Sequence, residues 1–307
     1  MAVTWRPAAW KDVESGLSIP RANRGDAVVA GEAALQGWKS LFQDPFFASA
    51  VLESNPLSGG HRVVGFGASV LVSAKFAEAE VANPRPHLTS RIVASVCSGE
   101  SVLATRSEIA RANANGGVNV VILTGNWRDE ILNAADRQTV KTLLALSFAE
   151  WHMGYRIQRI FQETTNELTR EFLQHSVVYK AIAEFPELGL STYLITSESV
   201  REVSASLGNV LFDYREPMLR LRDSDQQMLL AALRGATDCE ISDALGIGIS
   251  AVKARWRSTF TRIGSVMPTL IDDLQDRDGR GLQKRHGVLS YIRTHPEELR
   301  PYDWKQS

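Results

Sequence analysis

The chain contains few cysteines, with Cys97 and Cys239 the only two among its 307 residues. Two cysteines cannot form the disulfide framework of a small secreted domain, which favours a protein of a reducing compartment. Long hydrophobic runs are also missing, since the longest, Val63 to Ala74, is broken by glycine and serine and is too short to cross a bilayer. Residues 1–7 lack the basic-then-apolar pattern of a signal peptide. We therefore expect a cytoplasmic protein.

The chain has no excess charge of either sign. Its 34 basic side chains are balanced by 35 acidic ones, for a net charge of −1. This balance excludes a basic nucleic-acid coat, so any DNA-binding function must rest on a local cluster of charge. Hydrophobic residues make up 44% and charged residues 22%, as in ordinary globular proteins. The length predicts two domains.

Familiar catalytic and metal-binding motifs are absent from the sequence. It contains no HExxH, CxxC, Walker A or GxSxG segment, and none of its six histidines shows the spacing of zinc ligands. We therefore expect no metal ion and no cofactor, and name no catalytic residue. Cys97 and His87 would form a nucleophile pair only if the fold brought them together. Packed, inert thiols are the more common case, and we expect this of Cys97 and of Cys239.

Residues 1–215 show strand and helix patterns in alternation. Runs rich in β-branched and apolar residues predict strands at residues 61–72, 118–123, 155–161 and 190–195. Amphipathic or helix-favouring segments predict helices at residues 31–41, 136–152 and 166–185. This alternation predicts an α/β domain with a central mixed sheet flanked by helices. Gly65 and Gly67 within the first of these strands indicate a bulge, the close approach of a ligand, or ordinary sheet packing.

Strand patterns end near residues 214–217, where we place a domain junction. Thr237 or Asp238 can cap a short helix, and residues 246–248 (Gly-Ile-Gly) form a tight turn before a further helix that begins at Ser250. Two short helices joined by such a turn form a helix-turn-helix, so we predict an all-α domain at residues 216–268 with a helical extension at 269–307.

The third predicted helix of this domain carries a local basic cluster. No acidic residue occurs between Ala244 and Ile271, whereas basic residues stand at Lys253, Arg255, Arg257 and Arg262. Apolar residues including Val252 and Trp256 share one helical face and predict packing in a core. Lys253 and Arg257 lie one turn apart on another face, and a helix fits the major groove of B-DNA. The alternative is a small helical bundle with a solvated basic face.

Residues 221–264 resemble the DNA-binding domain of LuxR/GerE-type bacterial transcription regulators. The family's Glu-Ile-Ala-x-x-Leu and Thr-Val-Lys-x-His segments correspond to residues 240–245 and 251–255, with Ala251 in place of threonine and Arg255 in place of histidine. The resemblance implies a cytoplasmic homodimer that binds double-stranded DNA and whose amino-terminal domain senses a small-molecule effector or a partner. The implied DNA-binding residues are Thr237, Ser250, Lys253, Arg255, Arg257 and Arg262. A module that has lost DNA affinity and binds protein is a further alternative.

The amino-terminal region resembles GNAT-type acyltransferases in its opening residues 5–8 (Trp-Arg-Pro-Ala), in the strand 63–72, and in a helix followed by residues 154–156 (Gly-Tyr-Arg). That family cradles pyrophosphate with an Arg/Gln-x-x-Gly-x-Gly/Ala segment that opens a helix. The nearest segment here is residues 111–116, where Ala114 replaces a glycine and a strand follows. The resemblance implies the second hypothesis: an acyltransferase or acyl-CoA-binding protein with a structural C-terminal helical domain.

Overall fold

The computed structural model describes residues 2–19, 32–55, 62–165, 178–201, 207–269 and 282–304. The chain divides into two compact units, and each draws on several stretches of sequence. The first unit, here the sheet unit, comprises Met1–Glu108, Gly116–Met153 and Ile157–Phe212. The second, here the helical unit, comprises Ile109–Asn115, Gly154–Arg156 and Asp213–Ser307.

The sheet unit is built on a seven-stranded mixed sheet with the strand order β1-β2-β3-β4-β5-β7-β6. Strands β1 to β4 pair in antiparallel fashion, β4 and β5 are parallel, and β7 pairs antiparallel with both β5 and β6. The predicted mixed sheet flanked by helices is therefore confirmed. The strands are β1 (Ala2–Pro7), β2 (Ala48–Asn55), β3 (Arg62–Val72), β4 (Val118–Trp127), β5 (Ile157–Thr164), β6 (Lys180–Phe185) and β7 (Leu190–Thr196).

Helices cover both faces of this sheet. In the sheet unit they are α1 (Val13–Leu17), α2 (Glu32–Gln43), α3 (Ala74–Ala82), α4 (Leu88–Cys97), α6 (Ala134–His152), α7 (Ser197–Arg201) and α8 (Leu207–Phe212). Helix α5 (Arg106–Ala114) lies mostly in the helical unit. Trp38 of α2 and Ile92 of α4 pack with Phe66 and Phe161 in the larger core. Val140 of α6 packs with Leu52 in a smaller core. Full burial of one such side chain contributes about 1.5–3 kcal/mol.

One predicted helix is partly wrong. The prediction covered residues 166–185; residues 166–177 lie outside the described residues, and residues 180–185 form strand β6. This strand pairs with β7 from Lys180 to Phe185. Its alanine and glutamate residues favour a helix intrinsically, but the hydrogen bonds offered by the neighbouring strand outweigh that weak preference.

The helical unit contains α9 (Asp223–Leu233), α10 (Asp238–Leu245), α11 (Ile249–Val266) and α12 (Leu282–Thr294). Trp256 is 2% exposed and lies in a core with residues such as Leu229 and Ile292, which confirms its predicted packing role. Asn113, far upstream in the sequence, also belongs to this unit. Its Nδ2 donates to the carbonyl of Pro301 over 2.7 Å, and its Oδ1 accepts from the amide of Arg156 over 3.1 Å.

The thiols of Cys97 and Cys239 are both exposed, so the expectation that they are packed is wrong. Each lies on a solvent-facing side of its helix. Among the helices that the structure describes, none combines the length and the apolar character needed to cross a membrane. The described residues also contain no group of three or more histidine, cysteine, aspartate or glutamate side chains able to hold a metal ion.

Candidate functional site

The two parallel strands of the sheet part before β4 ends. Pairing between β4 and β5 runs from Val118 opposite Ile157 to Ile122 opposite Gln162. Strand β4 continues for five more residues, 123–127, of which 124–127 remain paired with β3 on their other side. Over residues 123–127, the side of β4 that faces β5 earlier in the strand therefore has no pairing with β5. Backbone groups along such an edge are available to a ligand.

A β-bulge lies at the point of separation. Ala68 of β3 is opposite Thr124, and the next residue, Ser69, is opposite Ile122, which leaves Leu123 of β4 as the extra residue. A bulge bends its strand and increases the local twist. The carbonyl of Leu123 accepts a hydrogen bond of 2.7 Å from the buried hydroxyl of Thr89 on α4. Helix α4 therefore fixes the bulge from one face of the sheet.

The same end of α4 contacts a carboxylate of β5. The backbone amide of Leu88, the first residue of α4, donates to Oε2 of Glu163 over 3.0 Å. Glu163 follows Gln162, the last β5 residue that pairs with β4. Because Leu88 and Thr89 are consecutive, the carboxylate of Glu163 and the carbonyl of Leu123 are held by neighbouring residues. A helix amino terminus attracts negative charge, which suits a carboxylate at this place.

A buried ion pair fixes the loop that leads into α4. Glu80 of α3 is 3% exposed, and its two carboxylate oxygens accept from Nη2 of Arg91 over 2.7 and 2.8 Å. Arg91 also donates to the loop carbonyls of Arg85 (2.8 Å) and Pro86 (3.1 Å). Glu80 in turn accepts from the amide of Arg85. The start of α4 is thus set by a network of charge-assisted hydrogen bonds.

A second polar side chain lies beside Glu163. Thr192 of β7 is directly opposite Glu163 in the antiparallel register, so both side chains lie on one face of the sheet. Thr192 is fully buried, and within the described part of the chain its hydroxyl has no hydrogen-bond partner. A buried hydroxyl without a partner is costly in a folded protein, which makes this position a candidate contact for a ligand.

The other face of β4 is open at Gly125. Gly125 is exposed and lies opposite Gly67, so both positions point to the face that carries α6. A Cβ added at Gly67 would meet Leu144 of α6 at 3.2 Å, whereas one added at Gly125 would meet no atom of the described residues within 4 Å. Among those residues there is therefore free space beside the part of β4 that lacks a β5 partner, on the α6 side of the sheet.

The residues predicted to bind DNA lie on α10 and α11 or immediately before them. Thr237 caps α10, with its hydroxyl 2.8 Å from Oε2 of Glu240, and Ser250 and Lys253 are exposed on the first turns of α11. The three arginines contact backbone carbonyls: Arg255 Nη1 lies 3.4 Å from Ser224 O, Arg257 Nε 3.4 Å from Lys253 O, and Arg262 Nη1 3.3 Å from Arg220 O. Lys253 and Arg257 lie one turn apart on α11.

Two other sequence candidates are not assembled into sites. Residues 111–116 cover the carboxyl end of α5 and the turn after it, where the helix dipole is negative and disfavours phosphate. His87 precedes α4 and Cys97 ends it, about 15 Å apart along the axis, so they form no nucleophile pair.

Sequence reasoning missed Thr89, Glu163 and Thr192, because they belong to no motif and come from three separate segments. It also missed a buried pair in which Nε2 of His152 lies 3.3 Å from Oγ of Ser69, while Nδ1 contacts the Phe148 carbonyl at 2.7 Å. The only usable signal was the position of Glu163 in residues 162–164, three polar residues directly after the predicted strand 155–161.

Comparison with known proteins found no matching family model and no matching curated protein. Solved structures do show a likeness. One is FeeM, an N-acyl amino acid synthase from uncultured soil microbes, at 11% identity over 66% of this chain and 94% of that one, with a TM-score of 0.38. Another is the C-terminal condensation domain of Ebony in complex with beta-alanyl-dopamine, at 12% identity over 64% and 99%, with a TM-score of 0.35.

The hypothesis of a LuxR-type transcription regulator that binds double-stranded DNA is wrong. The two solved structures named above are described as a synthase and a condensation domain, not as DNA-binding regulators. The contacts of Arg255 and Arg262 with carbonyls of the protein agree with this correction. The expected homodimer depends on binding to paired DNA half-sites, and the expected effector depends on a role in regulation. Both expectations lose their basis once DNA binding is excluded.

Proposed function

We propose that the chain is a GNAT-like acyl-transfer enzyme whose reaction takes place where β4 and β5 part. The observation that carries the proposal is the opened mixed sheet, in which β4 is not paired with β5 over residues 123–127, from the bulge at Leu123 onward. Ligands of sheets with parallel strands bind at the carboxyl ends of those strands, which is where this opening lies. The resemblance of residues 5–8 and 63–72 to GNAT-type acyltransferases supports the same function.

In this proposal the acyl donor is a thioester whose extended arm lies along the free edge of β4. Main-chain hydrogen bonds to residues 123–127 hold the arm as an added strand. The arm enters from the α6 side, beside Gly125, where the structure leaves free space. The thioester carbonyl then reaches the gap between Leu123 and Glu163.

Glu163 takes a proton from the acceptor, which we propose to be a primary amine. The carboxylate accepts one proton from the ammonium group, and the resulting amine attacks the thioester carbonyl. The new C–N bond forms, the C–S bond breaks, and the second proton lost by the attacking nitrogen passes to the departing thiolate, which leaves as the thiol; the proton held by Glu163 is released to solvent. The buried Thr192 hydroxyl, on the same face, orients the acceptor.

We propose a structural role for the C-terminal residues, with boundaries at 1–215, 216–268 and 269–307. Their core of apolar side chains and the bidentate pair of Arg285 with Asp238, at 2.9 Å for both bonds, support that role. Limited proteolysis of the full chain should cut first near residues 214–217; a first cut inside 223–266 would contradict the boundary. Exposed free thiols at Cys97 and Cys239 suit a reducing compartment, and we propose a cytoplasmic location.

A graded series at Gly125 tests the acyl-transfer proposal. Full-length protein is incubated with thioesters of two to twelve carbons and a panel of amino acids and amines, and amide products are detected by mass spectrometry. We expect product with the parent protein, a modest loss in Gly125→Ala, and a loss of at least tenfold in Gly125→Val and Gly125→Trp. A Cβ added at Gly125 meets no atom of the described residues within 4 Å, so the unfolding temperature of Gly125→Ala should not change, while the larger side chains extend into the donor's path.

The absence of any amide product across the panel would contradict the proposed function. Equal activity of Gly125→Trp and the parent protein would show that the donor does not pass beside Gly125. The matched control is Gly248→Ala in the helical unit, where a Cβ meets only Ser250 Oγ at 3.7 Å.

A further inference from the structure

The connection from β4 to α6 determines which part of a donor this protein can hold. Strand β4, helix α6 and strand β5 form a parallel crossover, and the amino terminus of its helix follows the carboxyl end of β4. In such crossovers that terminus is the usual place for a ligand's phosphate, because free N–H groups and the helix dipole point there. A coenzyme A diphosphate would therefore be expected at residues 128–137.

The charge at this turn is unsuited to a diphosphate. Residues 128–137 contain three acidic and two basic side chains. Both arginines are engaged with the acids: Arg137 Nε lies 2.5 Å from Asp129, and Arg128 Nη1 lies 3.8 Å from Glu130. The side chains of Asp129 and Glu130 remain about half exposed, at 48% and 50%, so an incoming dianion would meet negative charge.

The helix amino terminus is already capped by the protein. Oδ1 of Asn133 accepts from the amide of Asp136 over 2.8 Å, and its Nδ2 donates to the Asp136 carboxylate over 2.8 Å. Asp136, which is 9% exposed, thus adds a buried negative charge within the first turn of α6. An N-terminal amide that could have bound phosphate has an internal partner instead.

The backbone of the turn also lacks the conformation of an anion-binding site. Residues 128–133 contain no glycine, and none of them adopts the left-handed conformation that builds an anion-binding nest. Leu132 is 6% exposed and packs with Ile131 in the smaller core. Trp127 Nε1 donates to Asp129 over 3.0 Å and fixes the start of the turn. The turn is closed by apolar packing and internal hydrogen bonds.

We infer that the acyl donor is recognised through its pantetheine-like thioester arm alone, and that the turn at residues 128–133 disfavours the nucleotide diphosphate of coenzyme A. This inference rests on the proposed acyl-transfer function and names its donor class. The β4 edge without a β5 partner binds an uncharged, extended amide arm. The acidic turn removes the binding affinity that the phosphates of a coenzyme A thioester contribute in proteins with a phosphate-binding turn.

Titration calorimetry with the full chain tests this inference. S-acyl pantetheine and acyl-coenzyme A with the same acyl chain are compared at low and high salt, for the chain length that binds best. We expect dissociation constants within about threefold of each other, or a weaker constant for the coenzyme A thioester at low salt, where repulsion is less screened. A coenzyme A thioester that binds tenfold or more tightly would overturn the inference and leave the acyl-transfer proposal intact.

A double variant provides the second measurement. Asp129→Asn with Glu130→Gln should tighten binding of the coenzyme A thioester at least threefold and leave the pantetheine thioester unchanged. The matched control removes two exposed carboxylates elsewhere in the sheet unit, Glu14→Gln with Glu78→Gln, and should change neither constant. An unchanged coenzyme A constant in the Asp129/Glu130 variant would overturn the inference. Failure of both thioesters to bind the parent protein would overturn the inference together with the acyl-transfer proposal.

Discussion

The sheet unit and the helical unit of this protein differ in how their sequences relate to their chemistry. The helical unit carries the clearest motif in the chain, and Thr237 caps α10 with its side chain, as that motif suggested. Its arginines nevertheless contact carbonyls of the protein. The sheet unit contains no familiar motif but assembles Thr89, Glu163 and Thr192 around an opening between strands. A local pattern can therefore predict local structure well and still mislead about function.

The largest expected effect is a loss of enzymatic activity on substitution in the sheet unit but not in the helical unit. Glu163→Gln should lower kcat for amide formation by about 10²–10⁴-fold, because the amide cannot accept the acceptor's proton. Its oxygen can still accept from Leu88 N, so the KM for the donor and the unfolding temperature should change little. Amide formation is measured by mass spectrometry across pH. Lys253→Ala in the helical unit is the control and should retain full activity, and a Glu163→Gln variant with more than half the parent kcat would contradict the assignment.

The next effect is on the stability of the sheet unit. Arg91→Met should lower the free energy of unfolding by about 3–5 kcal/mol, because it leaves the buried Glu80 carboxylate without its partner. Urea unfolding followed by circular dichroism measures this change. The double variant Arg91→Met with Glu80→Leu should recover much of the loss, because the unpaired charge is gone. A single variant as stable as the parent would show that the loop before α4 is held by other contacts.

The smallest effect concerns acid stability and compares one ion pair in each unit. Hydrogen bonds from Arg6 lower the pKa of Asp12 in the sheet unit, and those from Arg285 lower the pKa of Asp238 in the helical unit. A carboxyl with a lowered folded-state pKa stabilises the protein above its unfolded value of about 3.9, and this contribution is lost as pH falls through the folded value. Arg285→Met should therefore reduce stability near neutral pH and flatten the decline below about pH 4.

Urea midpoints between pH 2 and pH 7 measure this effect, with an Arg6→Met variant as the counterpart in the sheet unit. If the Arg285→Met variant and the parent lose stability with the same pH dependence, the ion pair with Asp238 does not contribute as described. Arg285 also lies over the Trp256 ring, 4.7 Å from its centroid, so Arg285→Lys separates the loss of charge from the loss of stacking.

The sequence predicted the parts of the fold that local patterns encode. The β-branched run that became β3 and the cap at Thr237 are local signals, and each element formed where expected. Strand β6 was missed because its partner, β7, decided its conformation. The candidate site was out of reach, because Leu88 and Glu163 lie 75 residues apart in the chain and meet only through the fold. The parting of β4 and β5 likewise depends on pairing register, which no single segment records.

The hydrogen bonds of Asn113 bear on the order in which the protein is made. Asn113 joins residues 156 and 301, so a side chain synthesised in the first half of translation waits for a partner near the carboxyl end. The nascent chain enters the helical unit at residue 109, returns to the sheet unit at 116, and crosses between them again at 154 and 157. The last residue of the sheet unit is Phe212, whereas the helical unit needs residues from 109 to the carboxyl end, so the helical unit can be completed only at the end of synthesis.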